Sequence, residues 1–240
     1  VHYWQIGNEI RGENYERGLP AFCQAMLAVD PSIHLLSSFP TAGVLAGASA
    51  YLSHACPHLY HGADLTRCDA ELRDLEALIA HHVPQDQGSN VRVAITEWNA
   101  SNPEWGPGRG ELMTLDNALA CARFHNLLHR YGELVEIACR SNLADSFCGG
   151  AIETNASQLY CRPVYYVQQL YSTLGGRLPL VCQTSATAPD ISAALTEDHG
   201  ALIIHLVNAS NCDIRCQLDV SAILQDQDPG PTEGWRAVSY

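Results

Sequence analysis

Short β-like runs alternate with amphipathic helical segments over the first three-quarters of the chain. Strands are predicted at five places: Val1–Ile6, His34–Ser38, Tyr51–Tyr60, Val91–Thr96 and Leu134–Cys139. Helices are predicted where apolar residues recur with a period near 3.6: Asp69–His82, Leu115–Tyr131 and Pro163–Leu174. Strands that alternate with helices form parallel sheets, because each helix carries the chain back to the starting end of the sheet. The pattern therefore indicates the α/β class.

Five such βα units precede residue 178. A closed (β/α)8 barrel needs eight units and about 250 residues. Residues 1–178 are therefore predicted to form the C-terminal portion of a (β/α)8 barrel, about five of its eight units. An open doubly wound sheet is the structural alternative, but its usual Gly-x-Gly-x-x-Gly loop follows none of the predicted strands.

After Gly176 the helical pattern gives way to short β-like runs. These are Ile191–Thr196, Ala201–Val207 and Asp213–Val220, followed by a loop rich in Asp, Pro and Gly at 226–234. Residues 179–240 are therefore predicted to be part of a C-terminal β-sandwich domain.

The charge balance excludes two kinds of partner. The chain has 26 acidic and 13 basic residues and a net charge of −13. Nucleic-acid backbones and anionic membranes bind positively charged surfaces, so neither is predicted as a partner. No apolar run reaches the roughly 18–20 residues of a membrane span. A neutral ligand such as a sugar is unaffected by this charge.

The ten cysteines show no Cys-x-x-Cys spacing, so neither a zinc site nor a dithiol redox centre is predicted. This number of unpatterned thiols favours a reducing cytoplasm over secretion, although the sequence does not fix the compartment. The chain opens on a strand without an initiator methionine, as expected for a piece of a longer protein.

Two glutamates stand where predicted strands end. Glu9 follows the first strand, and Glu97 follows Val91–Thr96. In a βα barrel the C-terminal strand ends share one rim, where active sites lie. Either glutamate alone could be a helix cap or an ion-pair partner. Together, each beside an Asn and near a Trp, they favour catalysis.

Paired carboxylates are what cleavage of a glycosidic bond requires, one as proton donor and the other as nucleophile or base. Aromatic side chains near them could stack on sugar faces or could pack in the core. The tryptophans concerned are Trp4, Trp98 and Trp105.

Two segments resemble those of a known family. Tyr3–Glu9 resembles the acid/base segment of glycoside hydrolase family 51, the α-L-arabinofuranosidases, and Ile95–Asn99 is similar to its nucleophile segment. The resemblance implies that Glu9 is the acid/base, that Asn8 binds substrate beside it and that Glu97 is the nucleophile.

Two further segments extend the resemblance. Cys56–Tyr60 is similar to the His-x-Tyr of the sixth barrel strand, which implies that His58 and Tyr60 line the sugar pocket and that Tyr60 contacts the nucleophile. Ile137–Leu143 resembles the eighth strand, which implies that Asn142 offers an amide to the sugar. Trp98, next to the nucleophile, is expected to contact substrate as well.

The implied activity is retaining hydrolysis that releases terminal α-L-arabinofuranosyl residues from hemicellulose-type polysaccharides or oligosaccharides, by double displacement. No cofactor and no metal is expected. The partner is an arabinose-containing saccharide, and homo-oligomerisation remains possible. The first three strands of the family's barrel have no counterpart here, so the chain alone is expected to lack part of the pocket and its activity.

Two alternatives stay open. One is another retaining barrel glycosidase, such as a β-xylosidase or an endoglucanase. The other is a carbohydrate-binding remnant without catalysis. An acyl hydrolase is disfavoured, because the chain lacks a Gly-x-Ser-x-Gly elbow.

Overall fold

The computed structural model describes residues 1–83, 90–101, 107–146 and 150–224. The strands are β1 (Tyr3–Gln5), β2 (His34–Leu36), β3 (His54–Ala55), β4 (His58–Leu59), β5 (Arg92–Trp98), β6 (Val135–Arg140), β7 (Ile152–Thr154), β8 (Leu159–Cys161), β9 (Leu178–Leu180), β10 (Asp190–Leu195) and β11 (Leu202–Val207). The α-helices are α1 (Glu13–Val29), α2 (Ala42–Ala48), α3 (Leu65–His82), α4 (Leu115–Arg130), α5 (Pro163–Leu174) and α6 (Ser221–Leu224), with a 3-10 helix at Pro107–Met113. None of the helices in these ranges is long and apolar enough to cross a lipid bilayer.

The main sheet contains β1 to β6, and every strand pair in it is parallel. β3 and β4 occupy one strand position, because β3 pairs with the first residues of β5 and β4 with its last two. The order across the sheet is thus β1, β2, β3/β4, β5, β6. This curled sheet of five strand positions with crossover helices confirms the predicted partial barrel.

Two of the crossover helices, α1 and α2, are not predicted by the sequence pattern. Gly18 and Pro20 interrupt α1 with residues that usually mark turns, yet the helix continues through both. It forms because Leu19 and Cys23, one turn apart, are buried in the core. α2 has only seven residues, and the Thr41 side chain caps it by accepting a hydrogen bond from a backbone amide.

The side chains of β5 alternate between two apolar layers. Val93 and Ile95 pack in the main core between the sheet and its helices. Ala94 points the other way and packs with Leu36 and Cys56 on the inner face of the half-barrel. Leu36, Cys56 and Ala94 thus mark the inner face of the half-barrel, and His58 follows them on β4, nearer the rim.

A separate antiparallel sheet contains β9, β10 and β11. β10 and β11 lie close to the predicted strands Ile191–Thr196 and Ala201–Val207. The third predicted strand, Asp213–Val220, is wrong: these residues form no strand and are largely exposed. Their apolar residues alternate as in a strand, but local composition does not by itself decide whether a segment pairs with a sheet.

The predicted loop at 226–234 lies outside the described residues, and the boundary at residue 178 remains a prediction. A short hairpin of β7 and β8, which the sequence analysis does not predict, lies between β6 and α5.

The antiparallel sheet packs on α4 through buried polar groups. The Asn126 side chain, which is fully buried, donates to Asp190 Oδ1 at 2.8 Å. Its Oδ1 accepts from Ser192 Oγ at 2.8 Å and from Tyr171 Oη at 2.6 Å. One amide therefore links α4, α5 and β10.

Three histidines surround Tyr171 at the same joint. The rings of His125 and His205 stack on it, with centroids 4.6 Å and 4.2 Å away, and His129 lies 5.6 Å away. Burial lowers the pKa of His125 to about 3 and of His129 to about 4, and it lowers that of His205 as well. The joint is therefore packed with neutral imidazoles.

Acid is expected to destabilise this joint. Unfolded histidines titrate near pH 6.5, so below that pH the unfolded chain binds more protons than the folded one. The free energy of unfolding should therefore fall as pH drops from about 6.5, by about 2 kcal/mol at pH 5 for each of His125 and His129. Urea unfolding at pH 7.5 and pH 5 measures this fall.

The variant His129→Gln should show a smaller pH dependence than the wild type. The exposed His2 gives a matched control, and His2→Gln should keep the wild-type pH dependence. Equal pH dependence in His129→Gln and the wild type would contradict the expectation.

Candidate active site

Glu9 lies in a tightly held loop between β1 and α1. Gly7 has φ +87°, a conformation that favours glycine, and a Cβ there would lie 3.3 Å from Ile10 Cδ1. The Ile10 amide donates to Ser38 Oγ at 2.9 Å. Tyr15 Oη donates to the Ile6 carbonyl at 2.7 Å and accepts from the Ser38 amide at 2.7 Å. These bonds tie the loop to the end of β2.

Glu97 lies at the end of β5, where the strand contains a β-bulge. Ile95 is opposite Ala138 of β6 and Trp98 is opposite Arg140, so β5 has one more residue than β6 over this stretch. A bulge breaks the strict alternation of side chains. Thr96 and Glu97 consequently both reach His58, although they are consecutive in the strand.

His58 lies between the two glutamates. Its Nδ1 is 3.1 Å from Glu9 Oε1 and 3.8 Å from Glu97 Oε2. The three ligand atoms of this group all lie within 4.8 Å of one another. The side chain of His58 is 4% exposed, that of Glu97 32% and that of Glu9 54%. The two carboxylates therefore meet over a buried imidazole and are open to solvent on their other side.

Tyr60 binds Glu97 from the inner face. Its Oη donates to Glu97 Oε2 at 2.5 Å and lies 2.9 Å from Ser141 Oγ. Ser141 Oγ in turn donates to Asn142 Oδ1 at 3.0 Å, and Asn142 Nδ2 donates to Ser146 Oγ at 2.6 Å. Asn142 is exposed, and these bonds connect it to Glu97 through two hydroxyl groups.

Trp98 does not belong to this site, and the prediction that it contacts substrate is wrong. Its side chain is fully buried in the main core, 4.6 Å from the ring of Phe124 and 5.0 Å from that of His125. Past the bulge the strand alternates again, so the residue after Glu97 faces the helices.

Three of the predicted residues remain: Asn8, Trp4 and Trp105. Asn8 is exposed beside Glu9, in the same loop. Trp4 is 46% exposed on β1, and its Nε1 donates to the Val1 carbonyl at 3.2 Å. Trp105 lies outside the described residues.

Two residues in contact with the site are missed by the sequence analysis. Thr96 lies two residues after Ala94, and alternation along β5 is the signal that could have indicated it. Phe39 follows β2, and its ring lies 5.7 Å from that of His58. The Arg11 guanidinium lies over the Phe39 ring, 4.3 Å from its centroid. A strand-end position on β2 is the signal that could have indicated Phe39.

The arrangement suits proton transfer and nucleophilic attack. One carboxylate is held by a phenol, the other is half exposed on a loop, and an imidazole lies beside both. In the described ranges, Glu9, His58 and Glu97 are also the group whose ligand atoms are close enough to hold a metal ion. Proton transfer between a carboxyl group and a substrate needs no metal.

Several solved structures share this fold. An α-L-arabinofuranosidase from Thermotoga maritima, in an arabinose complex, has a TM-score of 0.70 and 21% identity, over 87% of this chain and 52% of that one. A GH51 arabinofuranosidase from Xanthomonas axonopodis pv. citri has a TM-score of 0.67 and 18% identity, with the same coverage. A GH39 β-xylosidase from Caulobacter crescentus has a TM-score of 0.52 and 18% identity, over 77% of this chain and 41% of that one.

The chain thus spans about half the length of the arabinofuranosidase structures. No match was found among curated proteins. A family model described as the alpha-L-arabinofuranosidase C-terminal domain matches residues 96–227, more than half of the chain. The matched span includes Glu97 and begins after Glu9. The chain belongs to the alpha-L-arabinofuranosidase C-terminal domain family.

Proposed function

We propose that this chain carries both catalytic carboxylates of a retaining glycoside hydrolase, and that the longer enzyme releases terminal α-L-arabinofuranosyl residues from hemicellulose-type polysaccharides or oligosaccharides. The observation that carries the proposal is that one carboxylate oxygen of Glu9, in the loop after β1, and one of Glu97, at the C-terminal end of β5, lie within 4.8 Å of each other. Retaining enzymes separate their carboxyl groups by about 5–5.5 Å, whereas inverting enzymes need about 6.5–9.5 Å to admit a water molecule.

Glu97 is the nucleophile in this proposal. Tyr60 donates to its Oε2 and His58 Nδ1 lies nearest the same oxygen, so we assign the attack to Oε1. Oε1 forms a bond to the anomeric carbon while the bond to the leaving oxygen breaks. The charge-assisted hydrogen bond from Tyr60 to Oε2 holds the carboxylate in position for the attack.

Glu9 is the acid and then the base. Its half-exposed carboxyl group gives a proton to the leaving oxygen in the first step. In the second step it takes a proton from water, which attacks the anomeric carbon and releases Glu97. His58, within hydrogen-bond distance of Glu9, keeps the carboxyl group over the cleft.

The substrate assignment is supported by the family match and by the structures named above. The family-51 structures have higher TM-scores than the GH39 β-xylosidase, 0.67–0.70 against 0.52, which favours an arabinofuranoside over a xyloside. The intact set of Glu9, His58, Tyr60 and Glu97 argues against a remnant that only binds sugar. Asn8 and Asn142 remain candidate contacts to the sugar.

The pocket is completed by other parts of the enzyme in this proposal. β1 and β6 each have a neighbour on one side within the described sheet, and the remaining barrel strands would pair with their outer edges. Activity is therefore tested in the longer polypeptide that contains this chain.

Replacing Glu9 and replacing Glu97 should have different effects on activity. In the longer polypeptide, Glu9→Ala should lower kcat/KM by about 10²–10⁴-fold on an arabino-oligosaccharide, but much less on an aryl arabinofuranoside whose leaving group needs little protonation. Glu97→Ala should abolish turnover of both substrates, because no covalent intermediate can form. Steady-state kinetics on the two substrates measure the difference.

Glu76, exposed on α3, gives the matched control, and Glu76→Ala should keep wild-type rates on both substrates. Equal losses on both substrates in Glu9→Ala would contradict its role as acid. Faster turnover of an aryl β-xyloside than of the aryl arabinofuranoside by the wild type would favour the β-xylosidase alternative.

Removing the phenol should slow the reaction without unfolding the protein. Tyr60→Phe takes away the donor to Glu97 Oε2, a charge-assisted bond of about 1.5–3 kcal/mol, so kcat/KM should fall by about 10- to 100-fold. Tyr160→Phe, at a 60% exposed residue of β8, is the control and should have no effect. A Tyr60→Phe enzyme as fast as the wild type would exclude the phenol from the mechanism.

A further inference from the structure

A fully buried asparagine lies where β4, β5 and β6 end. Asn99 is the second residue after Glu97, and it is 0% exposed. Its backbone amide donates to the Leu59 carbonyl at 3.0 Å, and its carbonyl accepts from the Gly62 amide at 2.9 Å. These two bonds bracket Tyr60, the residue whose phenol binds Glu97. The backbone of Asn99 therefore holds the segment that carries the phenol.

The side chain of Asn99 reaches in the other direction, to the end of β6. Its Nδ2 donates to the Ser141 carbonyl at 2.8 Å, and its Oδ1 accepts from the Ala100 amide at 2.9 Å. A backbone carbonyl only accepts and a backbone amide only donates, so these two partners fix which end of the side chain faces Ser141. The direction of this hydrogen bond therefore depends on no hydroxyl group and on no protonation state.

Arg140, the last residue of β6, binds both sides of this contact. Its Nη2 donates to Asn99 Oδ1 at 3.3 Å, and its Nη1 donates to the Asn142 carbonyl at 3.2 Å. Two consecutive carbonyls, those of Ser141 and Asn142, are thus held by side chains that also bind each other. Ser141 is buried, and a buried carbonyl past the end of a strand needs such a partner because the ladder no longer supplies one.

Ser141 connects this link to the candidate nucleophile. Its Oγ lies 2.9 Å from Tyr60 Oη and 3.0 Å from Asn142 Oδ1, and Tyr60 Oη binds Glu97 Oε2. A shift of the Ser141 backbone would therefore change the surroundings of the phenol, whichever of the two hydroxyl groups donates at their contact.

We propose that Asn99 is a positioning residue: its buried side-chain amide binds the Ser141 carbonyl and so keeps the end of β6 against Tyr60 and Glu97. The consequence for catalysis rests on the proposed function, since only there is Glu97 the nucleophile. The placement of Ser141 by Asn99 does not depend on it.

Aspartate is the substitution that removes the least from this position. It has nearly the size of asparagine, and its carboxylate can still accept from Ala100 and Arg140. Beside the Arg140 guanidinium the carboxylate stays ionised at pH 7, so it cannot donate to Ser141. Asn99→Asp therefore breaks the one hydrogen bond on which the proposal depends.

The kinetic test is a double-mutant cycle in the longer polypeptide, with an aryl arabinofuranoside at pH 7. Asn99→Asp should lower kcat/KM by about 3- to 10-fold, the effect of losing one neutral hydrogen bond. In a Tyr60→Phe background the same substitution should cost less than about 2-fold, because its effect on Glu97 passes through the phenol. Equal losses in the two backgrounds would overturn the positioning role, and so would a folded Asn99→Asp enzyme as fast as the wild type.

Asn208→Asp is the matched control. Asn208 Nδ2 donates to the Cys212 carbonyl at 2.8 Å, the same kind of bond, in a segment after β11. This substitution should leave kcat/KM unchanged in both backgrounds. Equal losses in Asn208→Asp and Asn99→Asp would contradict the proposal.

Crystal structures of the longer polypeptide give a readout besides activity. Ser141 Oγ should lie within about 3 Å of Tyr60 Oη in the wild type and in Asn208→Asp, and beyond about 3.5 Å in Asn99→Asp. A wild-type structure with Asn99 Nδ2 beyond hydrogen-bond distance of the Ser141 carbonyl would overturn the proposal even if Asn99→Asp failed to fold. If the distances are as expected but the longer polypeptide cleaves no glycoside, the proposed function fails and the placement of Ser141 by Asn99 stands.

Discussion

One extra residue in β5 decides which side chains face the inside of this half-barrel. Without the bulge opposite Ala138 and Arg140, Glu97 would follow the alternation of Ala94 and Ile95 and point into the helix-packed core. A carboxylate buried there without a partner would be costly. The bulge instead places Glu97 over the inner face and returns Trp98 to the core, so it serves the site and the packing together.

The second requirement is that a loop and a strand deliver their carboxylates to the same place. The loop that carries Glu9 is held at Gly7 and by hydrogen bonds to the end of β2, while Glu97 belongs to a strand paired on both sides. His58 lies under both groups, and its opposite nitrogen meets Thr96. An imidazole thus lies beside both carboxyl groups, which is an arrangement suited to a reaction that uses one carboxyl group as acid and the other as nucleophile.

The sequence predicts this site in outline, because the ends of parallel strands meet at one rim wherever such strands occur. Glu9 and Glu97 follow from that rule, and the His58–Tyr60 pair follows from alternation along a strand. The assignment of Trp98 fails because a bulge leaves no mark in a single sequence. The strand predicted at 213–220 fails for another reason: local composition does not decide whether a segment pairs with a sheet. α1 forms despite its glycine and proline because burial against the sheet outweighs local preference.

The central claim is that Glu97 forms a covalent bond to the sugar while Glu9 first donates a proton and then accepts one. It is tested most directly by trapping that bond in the longer polypeptide with a 2-fluoro arabinofuranosyl donor, whose fluorine slows release of the glycosyl-enzyme. Digestion and mass spectrometry of the peptides then locate the label. The account predicts one glycosyl group per protein, attached to Glu97 and absent in Glu97→Gln. A label on another residue, or efficient arabinofuranoside hydrolysis with inversion and no label at all, would contradict it.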